Sequence, residues 1–146
     1  MERTIIFRVW DKKSRRMLDL PAGNVNFSEW WKEHCSKNPQ IENEIIYMQF
    51  TGVYDRSHRE IFEGDIIDYH SPAGTHERSV VHYLTRYACF GVREDIPLRN
   101  IPHFEVVGNI FENPEDAPDE CVPIGIGTDN LFERGSEEIK NRGSRK

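Results

Sequence analysis

Apolar residues in this chain come in short runs, each closed by turn-forming residues, and that rhythm confines it to sheet architectures. The first run is Ile5-Ile6-Phe7-Arg8-Val9-Trp10, with Ile5, Phe7 and Val9 on one face and Ile6, Arg8 and Trp10 on the other. Asp11 to Arg16 reads as a charged turn, and Met17-Leu18 as a short returning strand. Further strands are predicted over residues 44–51, 60–62, 66–69, 79–84, 89–93 and 104–111. Between them lie Gly52, Asp55-Arg56-Ser57-His58, Glu63-Gly64-Asp65 and Ser71-Pro72-Ala73-Gly74, all turn chemistry. Composition agrees, with 14 Ile and 9 Val against 5 Leu and 4 Ala. Branched side chains lose rotamer freedom in helices and fit a pleated sheet. The expected class is mainly β, a small barrel or β-sandwich, rather than a helical bundle or coiled coil.

One segment follows a different period. Phe27, Trp30, Trp31, His34 and Cys35 make a single stripe at helical spacing, after Asn26 as N-cap with Glu29 three residues on. A short helix is therefore predicted over residues 27–36, stopped by Asn38-Pro39. Its paired tryptophans read as core rather than as a stacking platform. Beyond Glu112 the apolar periodicity ends, and four of the ten glycines lie at or after Gly125. The chain thus divides into a β-rich domain over residues 1–115 and a poorly ordered acidic and polar extension over 116–146.

Charge is unevenly spread. The net charge is −6, yet residues 1–18 hold six bases against two acids, while residues 112–129 hold six acids and no base. The early charges Glu2 and Arg3 leave no room for a secretory signal, and no run approaches the roughly 18 apolar residues of a membrane span. Cys35, Cys89 and Cys121 are odd in number and widely spaced, which fits buried thiols in a reducing cytoplasm.

Candidate chemistry is sparse. Glu63, Asp65 and Asp68 form an acidic cluster of the kind that holds a divalent metal in hydrolytic sites, although Glu63-Gly64-Asp65 reads first as a turn. His70 can face His82 across a hairpin, with Cys89 or His103 as a third zinc ligand. No nucleophile elbow, phosphate-binding loop or dinucleotide fingerprint is present, and no cofactor is expected. A nucleic-acid surface has better material: Phe7, Arg8, Trp10, Lys12, Lys13, Arg15 and Arg16 combine aromatics with a basic edge.

Three blocks, taken in order, carry a resemblance. They are Phe7-Arg8-Val9-Trp10-Asp11, then Met48-Gln49-Phe50-Thr51-Gly52 running on to Ile61-Phe62-Glu63-Gly64-Asp65-Ile66, and Glu105-Val106-Val107-Gly108-Asn109-Ile110-Phe111-Glu112-Asn113-Pro114-Glu115. Together they resemble the YopX family of phage and prophage proteins over about residues 4–115. The resemblance implies an SH3-like barrel with added elements and brings no catalytic residue with it. Two positions depart from the family pattern. His58 stands where a Gly is usual, and Asp116-Ala117-Pro118 replaces a Leu-containing continuation that supplies a packing contact.

Read as scaffold, Gly52 and Gly64 mark bends or close strand approaches, and Asp65 accepts an amide bond. Trp10 and Phe62 cover one end of the barrel. Gly108 marks a bulge, Asn109 caps the backbone there, and Pro114 ends the strand. The leading expectation is a non-enzymatic module in a bacterial cytoplasm that binds another macromolecule and self-associates. The alternatives are a nucleic-acid-binding barrel using the basic edge and a metal-dependent hydrolase using Glu63 and Asp65.

Overall fold

The computed structural model describes residues 5–18 and 44–118, together with the isolated positions 29, 32 and 37. Three curled antiparallel sheets form a half-barrel, so the protein is mainly β. In the first sheet β1 (Phe7–Asp11) lies between β2 (Arg16–Leu18) and β3 (Ile45–Tyr54), and β4 (Glu60–Phe62) borders β3. In the second, β5 (Asp65–His70) lies between β10 (Phe104–Asn109) and β6 (His76–Val80). The third joins β7 (His82–Leu84), β8 (Cys89–Val92) and β9 (Ile96–Pro97).

β5 is the strand on which the two main cores meet. Ile66 enters a core with Trp10, Ile46, Met48, Phe50, Phe62, Val80 and Ile110. Ile67 and Tyr69 enter a second with Ile61, Val81, Phe90, Val92, Leu98, Ile101 and Phe104. A strand covered on both faces needs apolar residues at consecutive positions, which accounts for Ile66-Ile67. The alternation along β1 also holds: Trp10 and Ile6 pack into the first core, whereas Val9 packs with Ile45, Leu18 and Tyr47.

Turn chemistry falls where the sequence places it. Gly52 and Gly64 have φ of 82° and 83°, and His58 adopts φ of 61°. His58 therefore holds the left-handed conformation that a Gly takes without strain. His58→Gly is expected to raise stability by up to about 1 kcal/mol; a loss in urea denaturation would reveal a contact through the imidazole. Gly52 does not end its strand, because β3 continues to Tyr54 and the register against β4 shifts between Phe50 and Tyr54.

Two expectations need correction, and two fall largely outside the described residues. The segment 79–84 is not one strand: it divides at Val81, whose N–H goes to the Asp65 carbonyl at 2.8 Å, and His82 starts the third sheet. The register of the β5–β6 hairpin pairs His70 with His76, their rings 5.5 Å apart, and His70 does not face His82. The helix predicted over 27–36 lies outside the described residues apart from Glu29 and Lys32, both helical. The extension beyond Pro118 also lies outside them. At its start, Ala117 packs on the first core, so a smaller residue makes contact where the family pattern has Leu.

Gly91 is the tightest glycine among the described residues. A Cβ there would stand 2.3 Å from the Ile96 carbonyl oxygen and 2.4 Å from Leu84 Cδ1. The carbonyl belongs to the paired strand β9 and cannot swing aside. Gly91→Ala should cost about 2–3 kcal/mol, read as a lower denaturation midpoint with an unchanged slope.

Candidate functional site

The Glu63-Gly64-Asp65 turn is the joint of all three sheets. Glu63 N–H donates to the Gln49 carbonyl at 3.0 Å, and Gln49 N–H returns to Glu63 Oε1 at 3.1 Å. Gly64 N–H reaches the Val81 carbonyl at 2.8 Å, and its own carbonyl accepts from Ile110 N–H at 2.9 Å. One tight turn thereby holds β3, the β6–β7 junction and the end of β10. A Cβ on Gly64 would press to 3.2 Å from the Phe111 ring, so the close approach needs glycine as much as the positive φ does.

Asp65 is buried at the centre of this joint, 1% exposed, and Oδ2 accepts the Phe62 N–H at 2.9 Å. Its Oδ1 pairs with Arg8 Nη2 at 2.6 Å. The Arg8 guanidinium lies 4.7 Å over the Phe62 ring and also reaches Met48 Sδ at 3.5 Å. Burial pushes the Asp65 carboxyl above the usual carboxylate range, and the Arg8 charge opposes that push. Burial likewise raises Glu63.

The third block is a second self-contained device. Asn109 Oδ1 accepts from Phe111 N–H at 3.1 Å and Glu112 N–H at 2.9 Å, while its Nδ2 donates to Glu112 at 2.9 Å. The register slips between Val106 and Gly108, which is the expected bulge. Gly108 leaves room for the Asn113 side chain, whose Oδ1 would lie 2.6 Å from a Cβ there. Pro114 opens a 3-10 turn over Pro114–Asp116. Trp10 stacks on Phe111 with centroids 5.6 Å apart and ties this device back to β1.

The structure separates the residues offered for metal or nucleic acid. Asp68 faces Arg78 at 2.6 Å, away from Asp65, and its hydrogen bond to Arg78 holds its carboxyl low. Among the described residues no three His, Cys, Asp or Glu side chains gather as a metal site. Arg8 points inward to Asp65, apart from Lys12, Lys13, Arg15 and Arg16. Those four lie on the β1–β2 turn and the start of β2, with Lys13, Arg15 and Arg16 exposed. Asp11 builds the turn: Oδ1 accepts Lys13 N–H at 2.9 Å and Oδ2 accepts the Ser14 hydroxyl. The Ser14 bond holds the Asp11 carboxyl below its ordinary value.

An unforeseen site lies between β3 and the third sheet. A cleft of about 350 Å³ is lined by Thr51, Val53, Tyr83, Phe90, Leu98 and Arg99, with Ala88, Cys89 and Pro97 completing its wall. Tyr83 is 46% exposed, and its ring meets Phe90 edge-on at 5.3 Å. The adjoining turn Thr85–Tyr87 presents Tyr87 with Arg86 5.8 Å from its ring. One sequence signal was available. Residues 82–104 carry Arg86, Arg93 and Arg99 with His82 and His103, against Glu94 and Asp95 on the β8–β9 turn, in a chain of net charge −6.

A half-barrel of antiparallel sheets, locked by a Glu-Gly-Asp turn and closed by an Asn-centred one, defines a small mainly-β domain of a particular kind. The family model described as YopX protein matches residues 6–116, and the chain belongs to the YopX family. Among solved structures, protein EF1440 from Enterococcus faecalis is similar over 78% of this chain and 98% of its own, at 23% identity and a TM-score of 0.47. No curated protein matches the chain significantly. Among the described residues no helix is long and apolar enough to cross a membrane.

Proposed function

We propose that this YopX-family chain is a non-catalytic binding module of phage or prophage type, which works in the bacterial cytoplasm by holding another macromolecule. The observation that carries this reading is a contrast between two places. The motif carboxylates Glu63 and Asp65 are engaged by Gln49 N–H, Phe62 N–H and Arg8, whereas the Tyr83–Arg99 cleft is open and lined by apolar and aromatic groups. A pocket of that composition suits binding, with a few polar groups setting orientation. The test is capture from a native host extract. The wild type should retain a partner, and Tyr83→Ala with Arg99→Gln should release it at an unchanged melting temperature. Retention by the double variant would overturn the cleft as the binding site.

Self-association is part of the same proposal. β2, β6 and β9 are outer strands of their sheets, and outer strands offer unpaired backbone that a second copy can cover. Light scattering should give a mass above that of one chain; a strict monomer across the micromolar range would remove this part.

A second reading has its own observation. Lys13, Arg15 and Arg16 stand exposed together on the β1–β2 turn, a basic edge able to contact phosphates. It predicts oligonucleotide binding that weakens with salt and falls when Arg15 and Arg16 are neutralised.

A further inference from the structure

The cleft itself carries the inference furthest. Arg8, Arg78 and Arg93 each have a carboxylate partner, in Asp65, Asp68 and Glu77. Among the described residues neither Arg86 nor Arg99 has one, although the chain has 25 acids against 19 Lys and Arg. This leaves Arg99 on the cleft wall and Arg86 on the adjoining turn open to an external anion. Beside them the Tyr83 ring is held by the edge of Phe90 and still exposes part of its surface. A pinned and partly open tyrosine is a preorganised stacking platform.

We infer that the Tyr83–Arg99 cleft binds single-stranded nucleic acid, one base stacking on Tyr83 and the flanking phosphates meeting Arg99 and Arg86. The inference rests on the binding-module reading and names its ligand. Single strands supply both features, because every unpaired base has a π-face with a phosphate beside it. An acidic peptide would satisfy the arginines and leave the tyrosine platform without a stacking partner. Duplex nucleic acid keeps its bases paired and cannot offer them to a cleft. The site is distinct from the Lys12–Arg16 turn and includes none of its residues.

The experiment is fluorescence anisotropy with labelled single-stranded oligo-dT and oligo-U of about 20 nucleotides and a matched duplex, at low salt and across a salt series. Both single strands should bind, the duplex more weakly, with affinity falling as salt rises. Tyr83→Ala and Arg99→Gln should each weaken binding about tenfold, more than Arg15→Gln with Arg16→Gln does. Both cleft side chains lie at the surface, and an unchanged melting temperature verifies that each variant folds. Absence of binding at low salt, equal affinity for the duplex, or loss confined to the Arg15 and Arg16 variant would each overturn the inference. An acidic peptide bound through Tyr83 and Arg99, with no oligonucleotide bound, would overturn the ligand and leave the binding module standing. A cleft that engages neither would overturn both.

Discussion

Arg8→Met should lower the unfolding free energy by about 3–5 kcal/mol at neutral pH. The variant keeps the bulk that packs over Phe62 and against Met48 but leaves the Asp65 carboxyl 1% exposed and without its cation. A buried charge that loses its partner is among the costliest single changes. The loss should also depend on pH with a definite sign. Asp65 has its native pKa raised by burial, so between its unfolded and native values the folded state binds more protons. Its contribution to stability is therefore greatest in acid and declines as pH rises through that interval. Removing Arg8 raises the native value further, so the deficit of the variant against wild type should shrink on acidification toward about pH 4. Urea titrations at several pH values measure it. A deficit independent of pH would show that Asp65 is not the group left exposed to the change. Arg8→Met combined with Asp65→Leu should recover part of the loss, because the double variant buries no charge.

Asp55→Ala is expected to cost about 3 kcal/mol. Asp55 is 4% exposed, and its carboxylate accepts three backbone amides: Ser57 at 2.8 Å, Arg59 at 2.9 Å and Val106 at 3.1 Å. The first two fix the turn between β3 and β4, and the third fastens that turn to β10 across the half-barrel. Burial alone would raise its pKa, but the three amide bonds outweigh burial and hold it below the ordinary value. Its stabilisation is thus fully present above the unfolded carboxylate pKa and is lost as pH falls through the depressed native value. Hydrogen exchange gives the sharper readout. The Val106 amide should lose protection in Asp55→Ala before the centre of β5 does, and uniform loss across the domain would indicate that Asp55 does not act locally. Asp55→Asn, which keeps one acceptor oxygen, should fall between the two.

The sequence carried the parts of this fold that are decided locally. β1 was legible because Ile6, Arg8 and Trp10 alternate with Phe7 and Val9, and the turns at His58, Gly64 and Asn109 because few residues suit those conformations. Long-range decisions were hidden. At Val81 the chain leaves the second sheet for the third, and no change in apolar pattern across 79–84 announces it. Arg8 reads as part of the basic edge from sequence, and only the fold brings Asp65 beneath it. Asp55 reads as an ordinary turn acid because its third partner, Val106, is 51 positions away. The cleft draws its wall from residues 51–53, 83–90 and 97–99, three stretches with no common spacing. What the sequence did hold was a local excess of base over acid across residues 82–104, three Arg against Glu94 and Asp95, a signal of charge rather than of pattern.

The Arg8–Asp65 link has a further consequence, in the time order of folding. The two residues are 57 positions apart, so at a synthesis rate of about 5–20 residues per second β1 leaves the ribosome seconds before its carboxylate exists. Contacts of such span are also slow to form, because the chain entropy of closing the loop is lost before the contact returns anything. In that interval the nascent chain exposes Trp10, Val9 and Ile6 on a strand with an open edge, which is a template for wrong pairing. Among the described residues the ladder available early is the neighbouring one, Trp10 against Met17 and Asp11 against Arg16, across a turn that Asp11 builds with its own side chain. The hairpin is then the natural first foothold of the domain, and its cluster of like charges keeps neighbouring nascent copies apart until β3 arrives.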